Sequence, residues 1–204
     1  MGAYGFSPPQ GGGGGGSTSP LTTKGDLWVY DSADVRLPIG SNGQRLQADS
    51  ADAQGMIWAP TDIGCRVFHS VDQSIANSTV VYLAFDSERY DTDTMHDTAV
   101  NNSRITFTTA GKYHVFANIR FASNAVGRRQ VLLELNRSGV YVAAEYLDAS
   151  VNTITVIGVG GVYNFAANDY IEVAVVQGSG GALNVDVGAN YSPEFGAQKC
   201  DRGG

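Results

Sequence analysis

Residues 103–123, SRITFTTAGKYHVFANIRFAS, decide the fold. Ile105 and Phe107 point one way before Gly111, and Tyr113, Val115, Ala117, Ile119 and Phe121 hold one face of a long strand after it. Period-two spacing of β-branched and aromatic residues marks a half-buried strand, and Thr108-Thr109-Ala110-Gly111-Lys112 is the turn that feeds it. One face buried and one face wet is the signature of an antiparallel sheet.

Outward from this strand, further strands are predicted at 66–71, 80–85, 104–108, 130–135, 140–146, 153–159, 162–165, 170–177, 182–189 and 195–199. Asn136-Arg137-Ser138-Gly139, Asn168-Asp169 and Gly178-Ser179-Gly180-Gly181 supply the turns between them. No stretch carries a helical period, so residues 63–204 read as an all-β sandwich. Phe107, Tyr113, Val115, Phe116 and Phe195 are its candidate core and self-association residues.

Residues 21–62 are a second region of short strands. Leu27 alternates with Val29, Val35 with Leu37 and Ile39, and Asn42-Gly43 is a strong short-range hairpin signal ahead of Leu46 and Ala48. Few large apolar groups lie here, so the region must pack on other structure or on copies of itself. Lys24-Gly25-Asp26 reads as a turn entering a strand rather than as an integrin-type tripeptide. Residues 1–20, with six glycines from Gly11 to Gly16, form an arm whose composition offers too little apolar surface to offset its ordering entropy. Tyr4, Phe6, Pro8 and Pro9 are its candidate anchoring residues. The glycine run is no phosphate loop, because a glycine stands where lysine should precede Ser17 and no strand leads into it.

The chain has 204 residues and a net charge of −7. Without a basic stripe it lacks the term that supplies most nucleic-acid affinity. It shows neither a secretory signal nor an apolar run long enough for a membrane helix, so the expectation is a protein made in the cytoplasm and not inserted in a membrane. Cys65 and Cys200 bracket the sandwich. They form either a disulfide clasping the two chain ends or a pair of free thiols, the state expected in a reducing cytosol.

Phe107-Thr-Thr-Ala-Gly111-Lys-Tyr113-His-Val-Phe116, Leu133-Glu-Leu-Asn136, Phe165-Ala-Ala-Asn168-Asp169-Tyr170-Ile171-Glu172-Val173 and Phe195-Gly196 together resemble, in order and spacing, the C1q-like, tumour-necrosis-factor-type jelly roll. Asn168 stands where that family usually has glycine, and Asn tolerates the left-handed turn. The resemblance implies a C1q/TNF-like jelly-roll head that assembles as a homotrimer. Thr23-Lys24-Gly25-Asp26-Leu27, Arg36-Leu37-Pro38-Ile39-Gly40, Asn42-Gly43-Gln44-Arg45-Leu46 and Gly55-Met56-Ile57-Trp58 are similar to segments upstream of such heads in bacteriophage virion proteins. This implies a non-enzymatic knob on the outer surface of a virion, as a head fibre, capsid decoration or short tail fibre, with other virion proteins as partners. The alternative is a receptor-binding adhesin for a host glycan or protein.

Asp86, Asp91, Asp93 and Asp97 form a candidate exposed binding loop. A calcium reading lacks the glycine and distal glutamate of a twelve-residue calcium loop, and aspartates also make turns through their own backbone. His69, His96 and His114 fall in three different elements, so no metal site is predicted. No Gly-x-Ser-x-Gly elbow or Cys/His pair is present, so no catalytic residues and no cofactor are assigned.

Overall fold

A computed structural model of the chain describes residues 20–60, 62–151 and 153–200, all β-strand and connection. The arm with Tyr4, Phe6, Pro8 and Pro9 lies outside the described residues. The chain divides into two compact units, Met1–Thr61 and Asp62–Gly204.

The first unit holds two hairpins. Strand β1 (Leu27–Tyr30) pairs with β2 (Asp34–Leu37), and β3 (Gln44–Ala48) with β4 (Met56–Pro60). Asp26 ties the entry to the first hairpin. Its carboxylate accepts the backbone N–H groups of Thr22, Thr23 and Ile39 at 3.1, 2.7 and 3.1 Å and faces Arg36. Burial alone would raise its pKa, but those three bonds and Arg36 hold it below the ordinary carboxylate value. Gly25 precedes it at φ +92°, so Lys24-Gly25-Asp26 is a turn with a buried acid, as its chemistry predicts. The Trp58 indole N–H donates to the Pro38 carbonyl, linking the second hairpin to the end of the first.

The second unit is a sandwich of two sheets. Its strands are β5 (Gly64–Phe68), β6 (Gln73–Ile75), β7 (Val81–Tyr82), β8 (Ser87–Asp91), β9 (Arg104–Thr106), β10 (Gly111–Phe121), β11 (Arg128–Leu135), β12 (Val140–Asp148), β13 (Thr155–Phe165), β14 (Tyr170–Gln177), β15 (Leu183–Val185) and β16 (Glu194–Lys199). One sheet runs β6-β15-β10-β16-β5-β8, with β13 on the other side of β10; the other runs β12-β11-β14-β7, with β9 also on β14. Strands β10 and β13 pair over their full eleven residues, from Gly111 opposite Phe165 to Phe121 opposite Thr155.

The alternation read in β10 is the alternation of its burial. Tyr113, Val115, Ala117, Ile119 and Phe121 all enter the core. Phe107 stacks on Phe165 at 3.7 Å between centroids, Tyr113 meets Phe107 edge-on at 4.7 Å, and Phe85 lies 5.3 Å from Phe195. Each such side chain contributes about 1.5–3 kcal/mol on burial. Tyr113 keeps its hydroxyl satisfied by donating to the Thr109 carbonyl at 2.7 Å. Asn168 adopts φ +70°, so the turn it was expected to support is formed.

Several expectations are corrected. The strands expected at 153–159 and 162–165 are one strand: Gly160 and Gly161 do not break β13, because full-length pairing with β10 carries the backbone across them. Asn42-Gly43 makes a turn but no hairpin, since β2 and β3 pair with different strands. The second hairpin closes over residues 49–55, where Asp49 and Asp52 each accept a backbone N–H two residues on. Strands β4, β6 and β8 were not anticipated. The last was hidden by its polar composition, SERYD, which suits a sheet edge.

Replacing Phe107 by Ala empties the centre of the aromatic cluster and is expected to cost about 3–5 kcal/mol. The midpoint of denaturant unfolding will read this directly.

Candidate functional site

Burying one face of β10 leaves the other face outward, and the register assembles it row by row. His114 lies between Gln198 and Val162, Phe116 between Gly196 and Gly160, and Asn118 between Glu194 and Gly158. Three of these neighbours are glycine, so this part of the sheet is nearly flat. A Cβ on Gly196 would come within 2.5 Å of the Phe116 ring, and one on Gly160 within 2.8 Å of the Val115 carbonyl; Gly158 is open, with only Asn118 at 3.8 Å. Phe116 therefore lies down across glycine backbone, its ring stacked with His114 at 5.9 Å. Val156 and Val162 stand 40% and 61% exposed on the same face of β13.

A charged cluster borders this surface. Glu194, buried on β16, accepts Arg66 Nε at 2.7 Å and Arg89 Nη2 at 2.8 Å. The same guanidinium groups donate to the Asn190 and Ala189 carbonyls, and Arg89 also covers the Phe68 ring at 3.9 Å. Two cations on one carboxylate leave a surplus positive charge at the margin of the face.

The residues named from sequence divide accordingly. Phe107, Tyr113, Val115 and Phe195 are interior and hold the sheets together, which removes them from any association surface; Phe116 alone among them faces outward. Asp86, Asp91, Asp93 and Asp97 do not form one loop, because β8 intervenes. Asp86 takes the Ser70 N–H and hydroxyl, Asp91 the N–H groups of Asp93 and His96, Asp93 the Thr108 hydroxyl, and Asp97 the N–H groups of Ala99 and Val100. These are turn and anchor bonds. Among the described residues no group of three or more His, Cys, Asp or Glu side chains is placed to hold a metal ion. The three histidines do not meet: His69 lies by Asp86, His114 is on the outer face, and buried His96 has one ring nitrogen 3.0 Å from Glu88 and the other 3.3 Å from the Asn102 carbonyl.

A pair of carboxylates does lie side by side on the second sheet, where the register sets Glu134 opposite Glu172. Arg137 grips Glu172 through two nitrogens, Ser103 donates to the same carboxylate, and the Tyr82 hydroxyl donates to Glu134 at 2.6 Å. Its bond to Glu134, with burial, pushes the Tyr82 pKa up to about 12. This network fastens the β11–β12 turn, in which Asn136 and Arg137 both have positive φ. An open cleft of about 580 Å³ lies at the other end of that sheet, lined by Ala125, Gly127, Arg128, Gln130, Asp148 and Ala149.

Cys65 and Cys200 are free thiols. The first and last strands of the head are neighbours, but Cys65 sits opposite Ala197, three residues short of Cys200. At about 3.3 Å per residue that is roughly 10 Å, beyond the ~7 Å a disulfide spans. Burial, reinforced by Asp91, pushes the Cys65 thiol pKa far up.

The flat face could have been suspected from Gly158 and Gly160 two apart in a strand pattern, since glycine there marks close approach of another group. The Arg66–Glu194–Arg89 cluster left no such trace, because its members are far apart in sequence.

No family model matches the chain, and no curated protein matches it. Among solved structures, murine APRIL at pH 5.0 is similar with a TM-score of 0.52 at 12% identity, over 69% of this chain and 100% of that one. The Eiger TNF of S. frugiperda is similar with a TM-score of 0.50 at 10% identity, over 70% of this chain and 95% of that one. The globular domain of zebrafish complement 1qA protein reaches 0.49 at 12% identity, over 69% and 99% of the two chains. The first two likenesses show the fold of the second unit to be a jelly roll of TNF type.

Ellman's reagent is expected to titrate one thiol in the native protein, Cys200, and two after denaturation; a bridged pair would give none in either state.

Proposed function

We propose that the protein is a non-enzymatic structural knob of a bacteriophage virion, a homotrimer displayed on the outer surface and tethered through its N-terminal arm to a capsid or tail protein. The observation that carries the association is the level strip of Phe116, Gly158, Gly160 and Gly196 with Val156 and Val162 beside it. A flat, partly apolar sheet face with almost no side-chain relief buries area well against another copy, and Val162 stands 61% exposed on it. The likeness in fold to TNF-type heads supports three copies per assembly. The virion setting is supported by the sequence resemblance of residues 21–60 to segments upstream of phage heads. Tyr4, Phe6, Pro8 and Pro9 supply the arm's apolar contacts, and three arms multiply a weak attachment into a firm one.

A second role on the same scaffold, attachment to the host surface, is favoured by the polar cleft between β11, β12 and their loops. The carboxylates Glu134 and Glu172 give no support to a hydrolase, because Arg137, Tyr82 and Ser103 already occupy them.

Light scattering will test the assembly. The wild-type protein is expected at trimer mass, and Gly158→Arg, which places a long cation where there is room for it, is expected to give a monomer with the wild-type β-sheet circular dichroism and a melting temperature lower than that of the trimer and independent of concentration. Removal of residues 1–20 is expected to preserve the folded trimer and to abolish its incorporation into particles, measured by blotting purified virions.

A further inference from the structure

The cleft at the end of the second sheet owes its shape to an unusual residue. Arg129 is fully buried on β11, and burial pulls its pKa down. No carboxylate pairs with it among the described residues. Its guanidinium donates instead to three carbonyls, Asn124 at 3.1 Å, Val126 at 3.0 Å and Arg128 at 3.2 Å, and its Nε has no partner among the described residues. A buried cation held only by carbonyls is costly, and an apolar side chain of similar volume would serve the core better. What Arg129 secures is the path of residues 124–128. The rest of that loop is fixed as well: Asn124 accepts the Val126 N–H, Gly127 presses on the Gly178 backbone at φ +74°, and the Gly127 and Arg128 carbonyls accept from Ala149 and Gly178.

The side chains around this rigid loop are, by contrast, unengaged. Arg128 and Gln130 of β11 share a face with Asp148 and Tyr146 of β12, the register setting Arg128 opposite Asp148 and Gln130 opposite Tyr146. Arg128 and Asp148 meet only through one 3.5 Å contact, with their side chains 60% and 86% exposed. The Gln130 amide and the Tyr146 hydroxyl have no hydrogen-bond partner among the described residues. A guanidinium, a carboxylate and an amide therefore border a floor of Ala125, Gly127 and Ala149, where a ligand meets nearly bare backbone, and the exposed Tyr146 ring stands next to Gln130, just outside the lining.

From this arrangement we infer that the cleft binds an uncharged saccharide of host surface glycan, an inference that rests on the attachment role of the head. The three polar side chains lining it, Arg128, Gln130 and Asp148, sum to zero charge, so an anion meets Asp148 and a cation meets Arg128. No apolar side chain larger than alanine lines the floor, so an apolar peptide finds no anchor. Adjacent hydroxyls of a pyranose satisfy the lining groups at once, donating to Asp148 and accepting from Arg128 and Gln130, and a longer saccharide reaches the Tyr146 ring beyond Gln130. The volume is in the range of small-molecule sites. Three clefts on one trimer raise a weak contact to useful avidity.

The full-length protein is to be applied to an array of uncharged hexose and N-acetylhexosamine oligosaccharides alongside sialylated and sulfated ones. Binding to uncharged members is expected, reduced at least tenfold in Arg128→Ala and in Asp148→Ala, both exposed and so expected to melt like wild type. Absence of binding to every uncharged member, binding confined to acidic members, or full binding by the Arg128→Ala/Asp148→Ala double variant would each overturn the site. So would adhesion to host cells that protease abolishes and periodate spares. Light scattering on the same samples separates the two readings: trimers without saccharide binding sink the cleft alone, whereas a wild-type monomer sinks the assembly.

Discussion

Everything in the head depends on the unbroken pairing of β10 with β13. A strand has two faces, and a register held over eleven residues lets neither strand slip by one, because a slip would send Tyr113, Val115, Ile119 and Phe121 into water together. The same constraint that fills the core thus dictates the outer face. Once the odd-numbered residues of β10 are inside, His114, Phe116 and Asn118 have nowhere to go but out, and the neighbouring strands supply glycines opposite Phe116 on both sides and opposite Asn118 on one.

That outer face combines two kinds of surface. The glycine rows contribute flatness rather than attraction, and Phe116 with the two valines contributes the apolar area. The Arg66–Glu194–Arg89 cluster contributes direction. A buried carboxylate shared by two guanidinium groups is held in one geometry, and a charge fixed at the edge of an apolar strip sets how another surface can align with it more than how tightly it adheres.

How much of this was legible in the sequence follows from the range of the interactions. The long strands announced themselves because period-two burial is written in consecutive residues, and Asn168 announced its turn because the left-handed region admits few residue types. Short strands such as β6 and β8 did not, since three to five mostly polar residues at an edge owe their conformation to the partner strand rather than to their own side chains. Asn42-Gly43 shows the converse: its turn chemistry was real, but which strands it joined was decided by pairing elsewhere. The carbonyl cage of Arg129 was out of reach, because an arginine in a strand reads as solvated until its neighbours are known.

The adjacency of β5 and β16 has an effect on topology. The strand that opens the head and the strand that closes it run antiparallel with Gly64 opposite Gln198, so both chain ends leave from one pole of the sandwich. A short peptide bridging them would let the head be circularly permuted, with new ends cut in the Gly180-Gly181 loop, where added atoms meet nothing within 4 Å. That adjacency places any fusion made after β16 beside the point where the chain enters β5 and leaves the opposite pole, with its loops, unobstructed.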